Sequence, residues 1–143
     1  MTKVGNISSL FCSALNGRAP VTELLLDAKG IVGDKHYSKN IERSVLIASI
    51  DSYKLAQKNS IDLSHGALGE NLLIDYNPYN LPSGSRLKIA DVTLEISQHC
   101  TLCKSLTKVD IKLPKLLKND RGVFAMVIDS GTIEQGDDIY LLD

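Results

Sequence analysis

Residues 87–96 read "LKIADVTLEI", two runs of alternating apolar and polar residues on either side of Ala90-Asp91. Period-two alternation marks a strand with one buried face, and a two-residue break between two such runs marks a hairpin. The flanking chain is of the same kind. "TKVGNISSLF" (2–11), "VTELLLD" (21–27), "RSVLIAS" (43–49), "ENLLID" (70–75), "RLKIA" (86–90), "VTLEIS" (92–97), "GVFAMVID" (122–129) and "DIYLL" (138–142) all read as strands. They are rich in Val, Ile and Leu and are bounded by Gly, Asp, Asn or Pro. "IDSGTIEQGDDIYLL" suggests a second hairpin, with Gly131 and Gly136 as turn residues.

Two segments read as helices. Residues 50–58, "IDSYKLAQK", follow Ser49, a good N-cap, and 114–119, "PKLLKN", open on Pro114, which suits a first turn. Short strands without regular β-α alternation predict a mainly β fold with a few short helices, closed as a mostly antiparallel barrel rather than a doubly wound sheet.

The chain has 143 residues, 43% of them apolar, which is enough for one conventional core and predicts a single domain over 1–143. Its net charge is −1, without the basic bias expected of a nucleic-acid binder. "MTKVGNISSLF" does not read as a signal peptide, and no run of about 18 apolar residues suggests a membrane span. Three cysteines cannot all pair within one chain, so a reducing cytoplasm is the expected setting.

Four stretches can carry chemistry. "GIVGDKHY" (30–37) sets Asp34 and His36 behind two glycines, a pattern also met in ordinary polar turns. "HGALGENLLI" (65–74) sets Glu70 and Asn71 between a glycine loop and an apolar run, where such a pair often only caps a strand. "KNDRGVFAMVIDSG" (118–131) sets Arg121 before Gly122 at a strand entrance, a place for an anion as well as for a surface ion pair. "SQHCTLCKSL" (97–106) pairs Cys100 and Cys103 as C-x-x-C beside His99.

That cysteine spacing admits a zinc site, a redox dithiol, a soft-metal thiolate, a sulfur carrier or inert core thiols. A structural zinc centre wants four ligands, and no second C-x-x-C or H-x-x-x-H completes the set. A thioredoxin-like dithiol wants a βαβ setting that the surroundings lack. Between Lys104 and Arg121 six basic residues face only Asp110 and Asp120. That excess is either a solvated helix face or an electropositive rim that lowers thiol pKa values and attracts an anion.

Taken in order, "GIVGDKHY", "RSVLI", "GALGENLLI", "LPSGSRLKIADVTLEISQHCTLCKSL" and "RGVFAMVIDSGTIEQGDDIYLL" resemble the MOSC domain, named after the C-terminal domain of molybdenum cofactor sulfurase, in its small stand-alone bacterial form. The likeness runs from about Val4 to Leu142. It implies a β-barrel of the pyruvate-kinase barrel-like type that handles the molybdenum cofactor or sulfur destined for a metal–sulfur centre. The family's signature cysteine, a metal ligand in related molybdenum enzymes, corresponds by position to Cys103. Cys100 is then a neighbouring resolver.

A thiolate available near neutral pH needs nearby cations, for which Lys104 and Arg121 are the candidates. Arg121 with backbone N–H groups near Gly122, or a loop nest at Gly69, would hold the cofactor's phosphate. Asp34, His36, Arg43, Glu70 and Asn71 are placed around the cofactor, bonding the pterin edge or ordering its loops. Pyridoxal phosphate enters only by family association, and no residue set here requires it. The extra N-terminal domain and arginine-rich motif of the amidoxime-reducing relatives are not expected here, so their reductase activity is not carried over. Implied partners are the cofactor or a small anion, with a sulfur-donor or electron-transfer protein. Alternatives are a non-catalytic anion-binding module and reductive detoxification of N-hydroxylated compounds with an external electron donor. A homodimer is compatible with the edge strands of a small barrel.

Overall fold

The computed structural model describes residues 1–101, 106–107 and 109–143. Its strands are β1 (Thr2–Ala14), β2 (Gly17–Val21), β3 (Glu23–Asp27), β4 (Gly30–Ile31), β5 (Val45–Ser49), β6 (Leu72–Ile74), β7 (Arg86–Ile89), β8 (Val92–His99), β9 (Val123–Asp129), β10 (Gly131–Glu134) and β11 (Asp138–Leu141). The helices are α1 (Ile50–Lys58) and α2 (Leu113–Leu116), with a 3-10 turn at Ile41–Arg43.

The order β11-β7-β8-β9-β5-β6-β1, with β1 also paired to β11, closes a barrel of seven strands among the described residues. β1 manages three partners because it is long. Its start pairs with β11, its middle with β6 and its end with β2. β5 and β6 run parallel, joined through α1, and the other barrel pairs are antiparallel. A smaller sheet, β10-β3-β4, stands apart.

Two cores follow from side-chain alternation. Ile7, Leu10, Val45, Ile47, Leu72, Ile74, Leu94, Ile96, Val123 and Ala125 fill one, with Leu24, Leu26, Ile31 and Ile133 of the small sheet added to it. Neighbouring positions on the same strands, Phe11, Ala48 and Leu73, point the other way and pack with Tyr53, Ala56, Leu113 and Leu117 of the helical side. β5 and β6 are thus buried on both faces, which is why "VLIAS" and "LLI" show no polar alternation.

The hairpin at Ala90-Asp91 forms, pairing Ile89 with Val92. α1 occupies residues 50–58, and the Ser49 side chain accepts from Asp51 N at 3.1 Å. The segment 21–27 is not one strand. It breaks at Thr22, where β2 leaves β1 and β3 joins β10. "GTIE" within the second turn region is itself strand β10, pairing with β3, while β11 returns to the barrel.

Candidate functional site

A concavity of about 600 Å³ lies on the outward side of β5 and β9 rather than inside the barrel. Its apolar wall is Leu46 of β5, Phe124 of β9, Leu68, and Cys100 just beyond β8. Leu46, Cys100 and Phe124 form their own small cluster, separate from both main cores. Register slips between Ile96 and Gln98, and beyond the slip Cys100 N still donates to Gly122 O at 2.9 Å, so the wall continues past the strand end.

The polar part comes from two loops and the approach to β9. Residues 36–43 supply His36, Lys39, Asn40 and Arg43, and residues 68–71 supply Leu68, Gly69 and Asn71. Arg121 lies just before β9. Its Nη1 donates to the Leu68 carbonyl, while its Nε is buried without a partner. At 5% exposure the guanidinium is almost fully withdrawn from water. A buried donor left unpaired costs about 1–3 kcal/mol, so Arg121 is set up to receive an acceptor. Arg43 lies over the Phe124 ring at 5.4 Å, a cation–π contact that holds a second guanidinium at the rim. Among the described lining residues there is no carboxylate side chain, so the cavity's fixed charge is positive.

Gly122 allows the close approach behind Arg121. Its φ is +150°, and a Cβ there would meet Ile47 O and Leu46 Cδ1, each at 3.1 Å.

Asn71 works as a peg. Its Oδ1 accepts from Leu46 N at 3.0 Å, and its Nδ2 donates to Phe11 O at 3.2 Å. Asp34 is buried, accepting from Ser13 N at 2.8 Å and contacting His36 Nδ1 at 3.1 Å. It does not line the cavity, but it orients His36, which does. Glu70 is fully buried and turned away from the cavity, accepting from Tyr53 Oη and lying 3.6 Å from Arg18 Nη2. Burial, and then the Glu70 charge, hold the Tyr53 hydroxyl far above the ordinary phenol range.

Of the sequence-predicted residues, His36, Arg43, Asn71, Cys100 and Arg121 thus meet in one cavity. Asp34 and Glu70 stand behind it, and Gly122 forms its backing. Cys103 and Lys104 lie outside the described residues. Of the basic residues between 104 and 121, Arg121 lines the cavity, whereas Lys112, Lys115 and Lys118 are exposed and do not. Lys104 and Lys108 lie outside the described residues, and the other described cations of the rim come from residues 36–43. Cys100, 3% exposed, sits among Leu46 and Phe124 rather than in a polar setting. Sequence reading passed over Lys39 and Asn40, which look like any charged loop. It also passed over Leu46, Leu68 and Phe124, which read as core.

The MOSC domain family model matches residues 32–140, and the chain belongs to that family. The family is associated with the molybdenum cofactor. Among solved structures, the YuaD protein from Bacillus subtilis is similar at 19% identity, covering 95% of this chain and 94% of that one, with a TM-score of 0.81. YiiM from Escherichia coli is 19% identical over 100% of this chain and 70% of its own, TM-score 0.69. YiiM from Geobacillus stearothermophilus is 15% identical over 99% and 75%, TM-score 0.71. At these identities the likeness establishes the fold. No curated protein sequence matches the chain.

Proposed function

We propose that this MOSC protein binds the molybdenum cofactor, or a closely similar anionic ligand, in the cavity between residues 36–43, 68–71 and Arg121. Binding would serve sulfur or metal handling at a cysteine. The observation that carries the reading is the buried Arg121 guanidinium, which has an unpaired Nε in a cavity lined by cations and by no described carboxylate.

The residues fit the group. A phosphate-bearing pterin is anionic and flat. Lys39, Arg43 and Arg121 would hold its charge, and Leu46, Leu68 and Phe124 would cover an apolar face. His36, held by Asp34, would present its remaining ring nitrogen to the ligand, and Asn71 would keep the wall in place. When bound, the cofactor supplies a metal centre able to take thiolate sulfur. Cys103 is the proposed ligand or persulfide site, with Lys104 at its side and Cys100 as neighbour. From Cys100 on the wall, three residues of chain reach about 10 Å at most. The partner would be a sulfur-donor or electron-transfer protein, and the setting the cytoplasm. Among the described residues no helix is long and apolar enough to cross a membrane.

The test is metal and pterin analysis of protein from a cofactor-competent host, with mass measurement of the thiols. The expected result is bound molybdenum with a fluorescent pterin, or one extra sulfur of about 32 Da on Cys103, lost in Cys103→Ser. Full loading of the Cys103→Ser protein would refute the thiol's role.

The burial of Cys100 among Leu46 and Phe124 favours a second reading, in which the cavity binds a small anion and the thiols are incidental. Cys103→Ser separates the two, since on the second reading ligand binding survives it unchanged.

A further inference from the structure

Helix α1 grips Arg121 from two sides. Ser52 Oγ donates to the carbonyl of Asp120, the residue before Arg121. Tyr53 Oη, one residue on, accepts from Gly66 N at 2.9 Å and from Leu68 N at 3.3 Å, and gives its proton to Glu70 Oε2. The carbonyl of Leu68 then accepts from Arg121 Nη1. Arg18 ties the same loop from behind, donating to the carbonyls of Gly66, at 3.1 Å, and Glu70. A chain of contacts therefore leads from a carboxylate outside the cavity, through a phenol and the backbone of one residue, Leu68, to the guanidinium inside it.

A buried carboxylate beside a buried phenol costs desolvation that two apolar side chains would not incur. In a loop that only had to be filled, Leu or Phe would serve. What the polar arrangement adds is direction, because Tyr53 can accept from both Gly66 N and Leu68 N, two residues apart, only if residues 66–68 keep one conformation. That conformation aims the Leu68 carbonyl at Arg121.

We infer that Tyr53 and Glu70 are positioning residues for anion binding: they fix the Leu68 carbonyl so that the Arg121 guanidinium lines the cavity with its Nε uncommitted. The inference rests on the reading of Arg121 as the cavity's anion-binding group. It assigns to the glutamate of "GENL" a role behind the site instead of a ligand contact.

The experiment is a double-mutant cycle on inorganic sulfate binding, followed by calorimetry or amide chemical shifts, with thermal stability measured in parallel. Sulfate keeps its charge across the working pH range. Arg121→Ala is expected to weaken binding about tenfold or more, as loss of a charge-assisted contact does. Tyr53→Phe and Glu70→Gln should each weaken it about three- to tenfold alone and have no further effect in the Arg121→Ala background, the signature of coupled residues. Should Tyr53→Phe not fold, Glu70→Gln, which keeps shape and one acceptor, carries the cycle. If Arg121→Ala binds sulfate as well as the unaltered protein, both the reading and the inference fall. If Arg121→Ala weakens binding but the other changes do not, or weaken it equally in both backgrounds, only the inference falls.

Discussion

Asn71 joins three segments through one amide. It holds Leu46 N and Phe11 O through its side chain, Leu46 O through its own N–H, and the Phe11 N–H through its own carbonyl. Asn71→Ala leaves a buried donor and a buried acceptor without partners. About 2–6 kcal/mol of stability should go, at about 1–3 kcal/mol for each lost partner, measured as a lower urea midpoint with unchanged slope. Asn71→Asp, which keeps the acceptor but sets a carboxylate oxygen against Phe11 O and Asp34 Oδ1, should cost at least as much as Ala. His36, Asn71 and Arg121 could be picked out in the sequence because polar residues beside glycines at strand ends are often held there for a purpose. Cys100 and Cys103 could be picked out as a pair, but their environments could not, since burial depends on what folds against them. The Arg18–Glu70 contact leaves no local trace, because the two residues are brought together only by β2 and the loop before β6.

The β7–β8 hairpin is the best-read element, and it carries a local cost. Ala90 has φ +54°, a left-handed conformation that a Cβ disfavours. Ala90→Gly should therefore stabilise the protein by about 0.5–1 kcal/mol, the relief of strain outweighing the extra freedom glycine gives the unfolded chain. Thermal denaturation checks this, and a loss of stability would mean that the methyl group packs usefully. Helix α1 was legible for a related reason: a serine cap followed by an acidic first turn is a local signal. The break at Thr22 was not. "VTELLLD" is as good a strand as any, and only the competing claims of β1 and β10 divide it. β6 likewise spans only three residues, with Asn71 just before it still bonded through its backbone to Leu46 O and Phe11 N.

For the molecule as a whole, two buried phenols set an alkaline limit. Tyr53 lies in the helical-side core, and the Tyr79 ring packs in the barrel core while its hydroxyl accepts from Ser49 N at 2.8 Å and bonds Ser52 Oγ of α1. Burial pushes the Tyr79 hydroxyl up from its ordinary value of 10.0 to about 12, and Tyr53 shifts in the same direction. A folded-state pKa above the unfolded one means that the unfolded chain releases its protons first. The stability these groups contribute is complete below about pH 10 and is lost as pH rises toward about 12. Urea midpoints should stay level up to about pH 10 and then fall steeply. Ultraviolet titration should show Tyr53 and Tyr79 ionising together with unfolding. Early reversible ionisation of all five tyrosines in folded protein would contradict this.

Barrel closure by β1 and β11 has a consequence for biosynthesis. β1 is made first, yet the partner of its opening residues is β11, so Thr2 waits for Leu141. While the ribosome is still at work, that edge of a nascent sheet stays open and able to pair with another chain. Shielding by a chaperone would matter most in that interval, and closure of the ring is the step that ends it.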